Sequence, residues 1–129
     1  MSPSVRRGFT WAVLVLAGLV VLGVFLQVYF IASYFFGAGE DALDAHTGLG
    51  FWVHNVEVLA FLAAIVAYWR RWAGLLMPFL LALIGTAQLA LTESDEWVGG
   101  LHGLLALVVL FLAHDVARRA VRDLGLGRH

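Results

Sequence analysis

Residues 44–69 read DAHTGLGFWVHNVEVLAFLAAIVAYW, and this stretch decides the fold. It is apolar enough for the interior of a bilayer, yet it contains His46, His54, Asn55 and Glu57. An ionisable side chain near the middle of a bilayer costs roughly 2.5–3.5 kcal/mol by insertion measurements, so such groups usually face the interior of a helical bundle and mark a site. The stretch therefore predicts a membrane-spanning helix with a polar inner face.

The composition of the whole chain is that of a membrane protein. Of its 129 residues, 62% are hydrophobic and 13% are charged, against about 45–50% and about 25% in soluble domains. The chain has no cysteine, which excludes disulfides, thiolate metal sites, iron–sulfur clusters and thioether-linked haem. Its arginines form no basic and aromatic face of the kind that binds nucleic acid, so no nucleic-acid partner is expected.

The hydropathy pattern predicts four spans with short connections, at residues 11–36, 45–69, 73–91 and 98–117. About 20 apolar residues cross a bilayer core, so each segment is long enough. The first run is much longer than the roughly 7–15 apolar residues of a signal peptide, which favours a retained span. Four spans joined in this way indicate a single-domain, all-α, up-down-up-down transmembrane four-helix bundle.

The charges divide between the connections by sign. The basic residues lie at the two termini and between spans two and three, at Arg6, Arg7, Arg70, Arg71, Arg118, Arg119, Arg122 and Arg128. Most carboxylates lie in the other two connections, at Glu40, Asp41, Asp44, Glu93, Asp95 and Glu96. The positive-inside rule then predicts a bacterial cytoplasmic-membrane protein with both termini in the cytoplasm and both acidic connections outside.

His46 and His102 are the candidate cofactor ligands. A weak internal repeat relates them, because each follows a glutamine, Gln27 or Gln88, and an acidic connection. Spans two and four run in the same direction, so the two imidazoles are expected at similar depth near the outer surface. Neutral imidazole is a ligand of haem iron. We therefore predict one b-type haem between spans two and four, with these two histidines as its axial ligands.

Small residues lie about one helical turn from these histidines, at Gly50, Gly99 and Ala106. They would let a flat macrocycle approach the helices. In the alternative interpretation they serve close helix packing, as small residues do in membrane bundles. Gly99 and Gly103 form a GxxxG pair, which is typical of such packing.

His54 and Glu57 are each open to two interpretations. His54 lies eight residues after His46, about 12 Å further along the helix. It either replaces His46 as the haem ligand or hydrogen-bonds Glu57 at i+3. Glu57 either carries protons below the cofactor or hydrogen-bonds polar side chains of neighbouring helices, such as Gln27, Gln88 or Thr86.

The polar pattern resembles a known family. Gln27, AHTGLG at residues 45–50, Gln88 and WVGGLH at residues 97–102 resemble a family of small four-helix bacterial membrane proteins of unknown function. The resemblance covers about residues 27–113. More distantly, the layout is similar to one four-helix half of haem A synthase, which holds haem between histidines on its second and fourth helices.

The resemblance implies haem binding at His46 and His102. The hydroxylating half of the synthase has a glutamate three residues before its histidine and an arginine just after it, where this chain has Leu43 and Thr47. An electron carrier is therefore favoured over a haem-modifying enzyme. One bundle is half of that enzyme, so the expected partners are a second copy of the chain or another membrane protein. The alternative function is a cofactor-free accessory or scaffold protein that packs against a larger membrane complex.

Overall fold

The computed structural model describes residues 1–92 and 96–126 and is built from helices. Their bounds are α1 (Pro3–Ser33), α2 (Glu40–Ala67), α3 (Trp72–Leu91), the short α4 (Glu96–Gly99) and α5 (Leu101–Leu124). The described residues contain no strand, so the all-α prediction is confirmed. Three charges of the topology prediction lie outside the described residues, namely Glu93, Asp95 and Arg128, and of Glu96 only the backbone is described.

Four helices are long and apolar enough to cross a membrane. These candidate spans are Pro3–Ala38, Glu40–Ala67, Trp72–Leu91 and Trp97–Leu124. The first helix begins well before the predicted residue 11, because the Ser2 side chain accepts a hydrogen bond from the backbone N–H of Val5 and Pro3 occupies the first turn. Both features favour helix initiation. Hydropathy locates the apolar segment, whereas capping residues fix where the helix starts.

Almost no loop separates α1 from α2. The chain continues from Ser33 through a π-helical turn at Tyr34–Ala38 and leaves it at Gly37 and Gly39, which have φ values of 92° and 83°. Glycine adopts this left-handed region without the steric penalty of other residues. The first turn of α2 then carries Glu40 and Asp41, where carboxylates interact favourably with the helix dipole.

The long helices pack as a ring in which each one contacts two neighbours. Both α1 and α3 pack against α2 and α5, so α2 and α5 face each other across the diagonal. Two apolar clusters fill this ring. One contains Val13, Ala64, Tyr68, Val116 and Ala120, and the other contains Val20, Val24, Leu81, Val109 and Leu112.

Gly23 permits the close approach of α1 and α2, because a Cβ at this position would collide with the side chain of Val53. We expect Gly23→Ala to lower the free energy of unfolding by about 1–3 kcal/mol, as overpacking does. Gly18→Ala is the matched control, since its Cβ would meet no atom within 4 Å. It should be neutral or stabilising by up to about 1 kcal/mol, because alanine is the better helix former.

Thermal unfolding in detergent micelles would compare these variants. The double variant Gly23→Ala/Val53→Ala should recover stability, because it removes the colliding methyl groups. Equal stability of the Gly23→Ala and Gly18→Ala proteins would contradict the helix contact described here.

Candidate functional site

His46 of α2 and His102 of α5 meet across the diagonal of the bundle. Their ring centres are 6.2 Å apart and their ring planes are inclined by 70°. Both side chains are partly buried. The structure therefore brings together the two residues that the sequence singles out as cofactor ligands, although 56 positions of the chain separate them.

Each ring is oriented by the backbone of a glutamine on a neighbouring helix. Nδ1 of His46 lies 3.0 Å from the carbonyl oxygen of Gln27, and Nδ1 of His102 lies 3.2 Å from that of Gln88. A carbonyl oxygen can only accept, so Nδ1 carries the proton in both rings and Nε2 keeps its lone pair in the neutral imidazole. Metal-ligating histidines are held in this way, with one ring nitrogen donating and the other presented.

The repeated glutamine–histidine pattern of the sequence corresponds to a repeated contact in the structure. In the first copy the contact is reciprocal, because Nε2 of Gln27 donates to the carbonyl oxygen of His46 at 2.9 Å. The remaining amide oxygen, Oε1 of Gln27, is buried and has no hydrogen-bond partner in the described part of the chain. Buried carbonyl groups are usually satisfied by protein, water or a ligand, so this oxygen is an acceptor beside His46 that the described side chains leave unused.

The end of the bundle that contains these contacts has very little packed core. We call it the histidine end and define it as residues 25–56 together with the described part of 86–108. Within those ranges Ala42 is the one fully buried residue that the structure describes. Protein interiors are normally close-packed. Polar contacts join the helices at the histidine end, and Val53 and Val56 at its inner border pack against the second apolar cluster.

Gly50 and Gly99, two of the predicted small neighbours, lie in different surroundings. A Cβ at Gly50 would lie 3.1 Å from Nε2 of Gln27, so this glycine makes room for the glutamine amide. Gly99 ends α4, while His102 belongs to the first turn of α5. The backbone angles of Gly100 between them are helical, at φ −59° and ψ −25°, so Gly99 still lies about one helical turn before His102.

The other two small residues lie on α5 itself. Ala106 is one turn after His102 and is partly buried, as expected for a position that borders the ring. A Cβ at Gly103 would meet no atom within 4 Å. The GxxxG interpretation therefore finds no close contact at Gly103 within this chain.

His54 and Glu57 form a second polar pair, about 12 Å and about 16 Å further along α2 than His46. Nδ1 of His54 lies 3.3 Å from Oε2 of Glu57, and Glu57 is only 2% exposed. Of the two interpretations of His54, the structure shows the hydrogen bond to Glu57. Glu57 bonds to its own helix rather than to Gln27, Gln88 or Thr86, and the hydroxyl of Thr86 donates to the carbonyl oxygen of Ala82.

Gly85 provides the space that the pair of His54 and Glu57 occupies, and the sequence did not single this glycine out. It lies on α3, and a Cβ there would collide with the carboxylate of Glu57 and come within 3.2 Å of Nδ1 of His54. A glycine within an apolar span was the available signal, because small residues mark close approach of membrane helices. Sequence alone does not say which side chain fills the space.

Comparison with known proteins gives no relative from which a role could be transferred: no protein-family model, no curated protein and no solved structure matches the chain. Among the described residues, no three histidine, aspartate or glutamate side chains converge on one point as a metal site would require. Two imidazoles, those of His46 and His102, lie close together in this part of the chain.

A double-mutant cycle would test the pair formed by His54 and Glu57. Glu57→Leu and His54→Leu each leave one polar group without its partner, and such a group costs about 1–3 kcal/mol when buried. The double variant removes both groups, so its loss should be smaller than the sum of the single losses by about 1 kcal/mol.

The measurement is the free energy of unfolding in micelles of one lipid and detergent composition. Glu57→Gln is the control, since it keeps a hydrogen-bonding group of similar shape and should lie closest to the unsubstituted protein. Strictly additive losses would show that the two side chains do not interact.

Proposed function

We propose that this is an integral membrane protein that binds one b-type haem between α2 and α5 and transfers electrons. The distance between the rings of His46 and His102 carries the proposal. A metal–imidazole bond of about 2.0 Å, with roughly 1 Å more from nitrogen to ring centre, separates two rings on opposite sides of one metal by about 6 Å. The observed 6.2 Å supports axial ligation by both residues.

Two further observations support the same proposal. The hydrogen bonds from Nδ1 to the carbonyl oxygens of Gln27 and Gln88 leave Nε2 as the nitrogen with a free lone pair, and they raise the basicity of the ligand. The histidine end also lacks a packed apolar core among the described residues. A large flat cofactor between α2 and α5 would pack against the side chains of this end and bury more of their surface.

The chemistry of the residues indicates which roles the haem and the protein would each have. His46 and His102 would hold the haem iron, and the haem would then supply a one-electron redox centre suited to electron transfer rather than to the binding of small molecules. The chain contributes the two ligands, the carbonyl groups that fix their orientation, and a low-dielectric surround. No residue of the chain is assigned a catalytic role.

We further propose an up-down-up-down bundle in the cytoplasmic membrane of a bacterium, with both termini in the cytoplasm. Support comes from the arginines grouped at one end of the bundle and from Trp69 and Trp72 beside them, which are 55% and 82% exposed. Exposed tryptophans are typical of the boundary between lipid tails and headgroups. A second copy of the chain, or another membrane protein, is the proposed partner.

A cofactor-free scaffold is the second candidate, and one observation favours it. The bonds between His46 and Gln27 tie α1 to α2, while the bond between His102 and Gln88 ties α3 to α5. Such inter-helix hydrogen bonds stabilise membrane bundles without any ligand. Under this proposal the polar residues hold the bundle together for docking against a larger membrane complex.

Absorption spectra of protein purified from haem-replete cells separate the two candidates. We expect a Soret band and a sharp α-band on reduction, and we expect both to be lost in His46→Ala and in His102→Ala, because each substitution removes one axial ligand. His54→Ala should retain the bands, since that imidazole is bonded to Glu57.

His114→Ala is the matched control, because this exposed histidine lies on the same helix as His102. A colourless protein in all variants, folded and monodisperse, would contradict haem binding and favour the scaffold. If the bands were lost in His54→Ala and retained in His46→Ala, the haem ligand on α2 would be His54, and the assignment to His46 would be wrong.

The proposed topology predicts the behaviour of C-terminal fusions. A fluorescent protein that matures only in the cytoplasm should be bright at the C-terminus, and an alkaline phosphatase that needs the periplasm should be inactive there. The physical reason is that the basic connections stay on the cytoplasmic side during insertion. The opposite pair of results would overturn the orientation.

A further inference from the structure

The bundle has a second polar region at its other end, which we call the arginine end: the start of α1, the connection between α2 and α3, and the last turns of α5. A cleft of about 340 Å³ opens there, bordered by Arg6, Arg7, Arg71 and Asp123. A second cleft of about 360 Å³ lies beside it and shares Arg71 and Asp123 with the first. The side chain of Tyr68 borders both clefts.

The side chain of Tyr68 is buried, and the hydrogen-bonding capacity of its hydroxyl is not fully used. It is only 4% exposed, and its hydroxyl has no hydrogen-bond partner in the described part of the chain. The ring itself is held firmly, because Gly74 lies so close that a Cβ there would be 2.7 Å from Cγ of the tyrosine. The guanidinium carbon of Arg71 lies 5.9 Å from the ring centre. Burial, together with the nearby carboxylate of Asp123, raises the pKa of Tyr68 to about 12. The hydroxyl therefore stays protonated and can donate either to that carboxylate or to a ligand in the clefts.

The charge of the first cleft favours an anion. Three guanidinium groups and one carboxylate border it, which leaves an excess of two positive charges. Arg6 is fixed by the hydrogen bond from its Nε to the carbonyl oxygen of Ala67, at 3.3 Å, so its terminal nitrogens remain to face a ligand. Guanidinium groups that present several donors match the oxygens of a phosphate.

The position of the clefts indicates where that phosphate comes from. Trp69 and Trp72 follow Tyr68 along the chain and are strongly exposed, which places the arginine end at the level of the lipid headgroups. Basic pockets between membrane helices at that level bind anionic headgroups. We propose that the arginine end binds the phosphate of an anionic phospholipid, with the hydroxyl of Tyr68 and the guanidinium groups of Arg6 and Arg71 as donors.

Thermal stabilisation of delipidated protein in detergent measures this binding, because a ligand that binds only the folded state raises the unfolding temperature. The probes are phosphatidylglycerol, zwitterionic phosphatidylcholine, and inorganic phosphate without lipid. We expect phosphatidylglycerol to stabilise the protein at concentrations at which phosphatidylcholine does not. We expect Arg6→Gln/Arg71→Gln to weaken the apparent affinity about tenfold or more, because charge-assisted hydrogen bonds are lost.

The matched control is Arg70→Gln/Arg118→Gln, which removes the same charge from the same end at residues that lie outside both clefts. Tyr68→Phe is the second variant; it removes one hydroxyl and keeps the ring, so it tests the site even if an arginine pair proves necessary for folding. We expect it to weaken phosphatidylglycerol binding by about tenfold or more, as for one hydrogen bond to a charged group.

Each outcome has a definite meaning. Selective stabilisation by phosphatidylglycerol that is lost in the cleft variants and kept in the control supports the lipid site. Equal stabilisation by inorganic phosphate, with the same loss in the cleft variants, supports the phosphate site and assigns it to a free anion. Equal losses in both arginine pairs, an unchanged affinity in Tyr68→Phe, or no preference for the anionic lipid would overturn the proposal.

Discussion

The hydrogen bonds from the two histidines to glutamine carbonyls are the constraint on which the histidine end depends. A partly buried imidazole loses hydrogen bonds to water, and here each ring replaces one of them with a bond to a neighbouring helix. The carbonyl oxygens of Gln27 and Gln88 belong to helical backbone and still have a second lone pair to offer. The bonds they accept fix the tautomer and the direction of each ring. One geometric requirement therefore determines both helix pairing and the nitrogen that is left for a ligand.

The inner faces of the bundle change from fully buried to partly buried side chains at one layer of residues. The fully buried residues of the four long helices end there at Val24, Glu57, Gly85 and Val109, with Ala42 as the exception beyond it. Below this layer small and apolar side chains pack in two clusters. Above it Val53 and Val56 still pack against the second cluster, and polar contacts then join the helices at the histidines. A bundle with a dense core at one end has a rigid base, and a rigid base keeps the opposite polar ends of its helices in register.

Much of this arrangement could be predicted from the sequence, and the failures have physical reasons. Long apolar runs identify four helices because lipid requires every backbone group to bond within its own helix. The pairing of His46 with His102 could be predicted because each follows an acidic connection near the start of a predicted span. The role of Gly50 was not, since an absent side chain does not reveal which neighbour uses the space. The first turns of α1 were missed because they are polar, and a cap rather than hydropathy begins that helix.

The polar pair of His54 and Glu57 lies at that layer, between the apolar core and the histidine end. Glu57 is the first fully buried residue of α2 below the histidine end, and Gly85 closes over its carboxylate from α3. An isolated charge is very unfavourable in such a place, so the carboxyl group is expected to be protonated or balanced by the imidazole that it contacts. The pair therefore separates the apolar core from the histidine end without adding a net negative charge beneath the facing imidazoles. An uncompensated carboxylate there would favour the more oxidised state of any metal held by those rings, because electrostatic interactions are strong in a low dielectric. The contact between His54 and Glu57 thus links the packing of the core to the electrostatics of the proposed cofactor site.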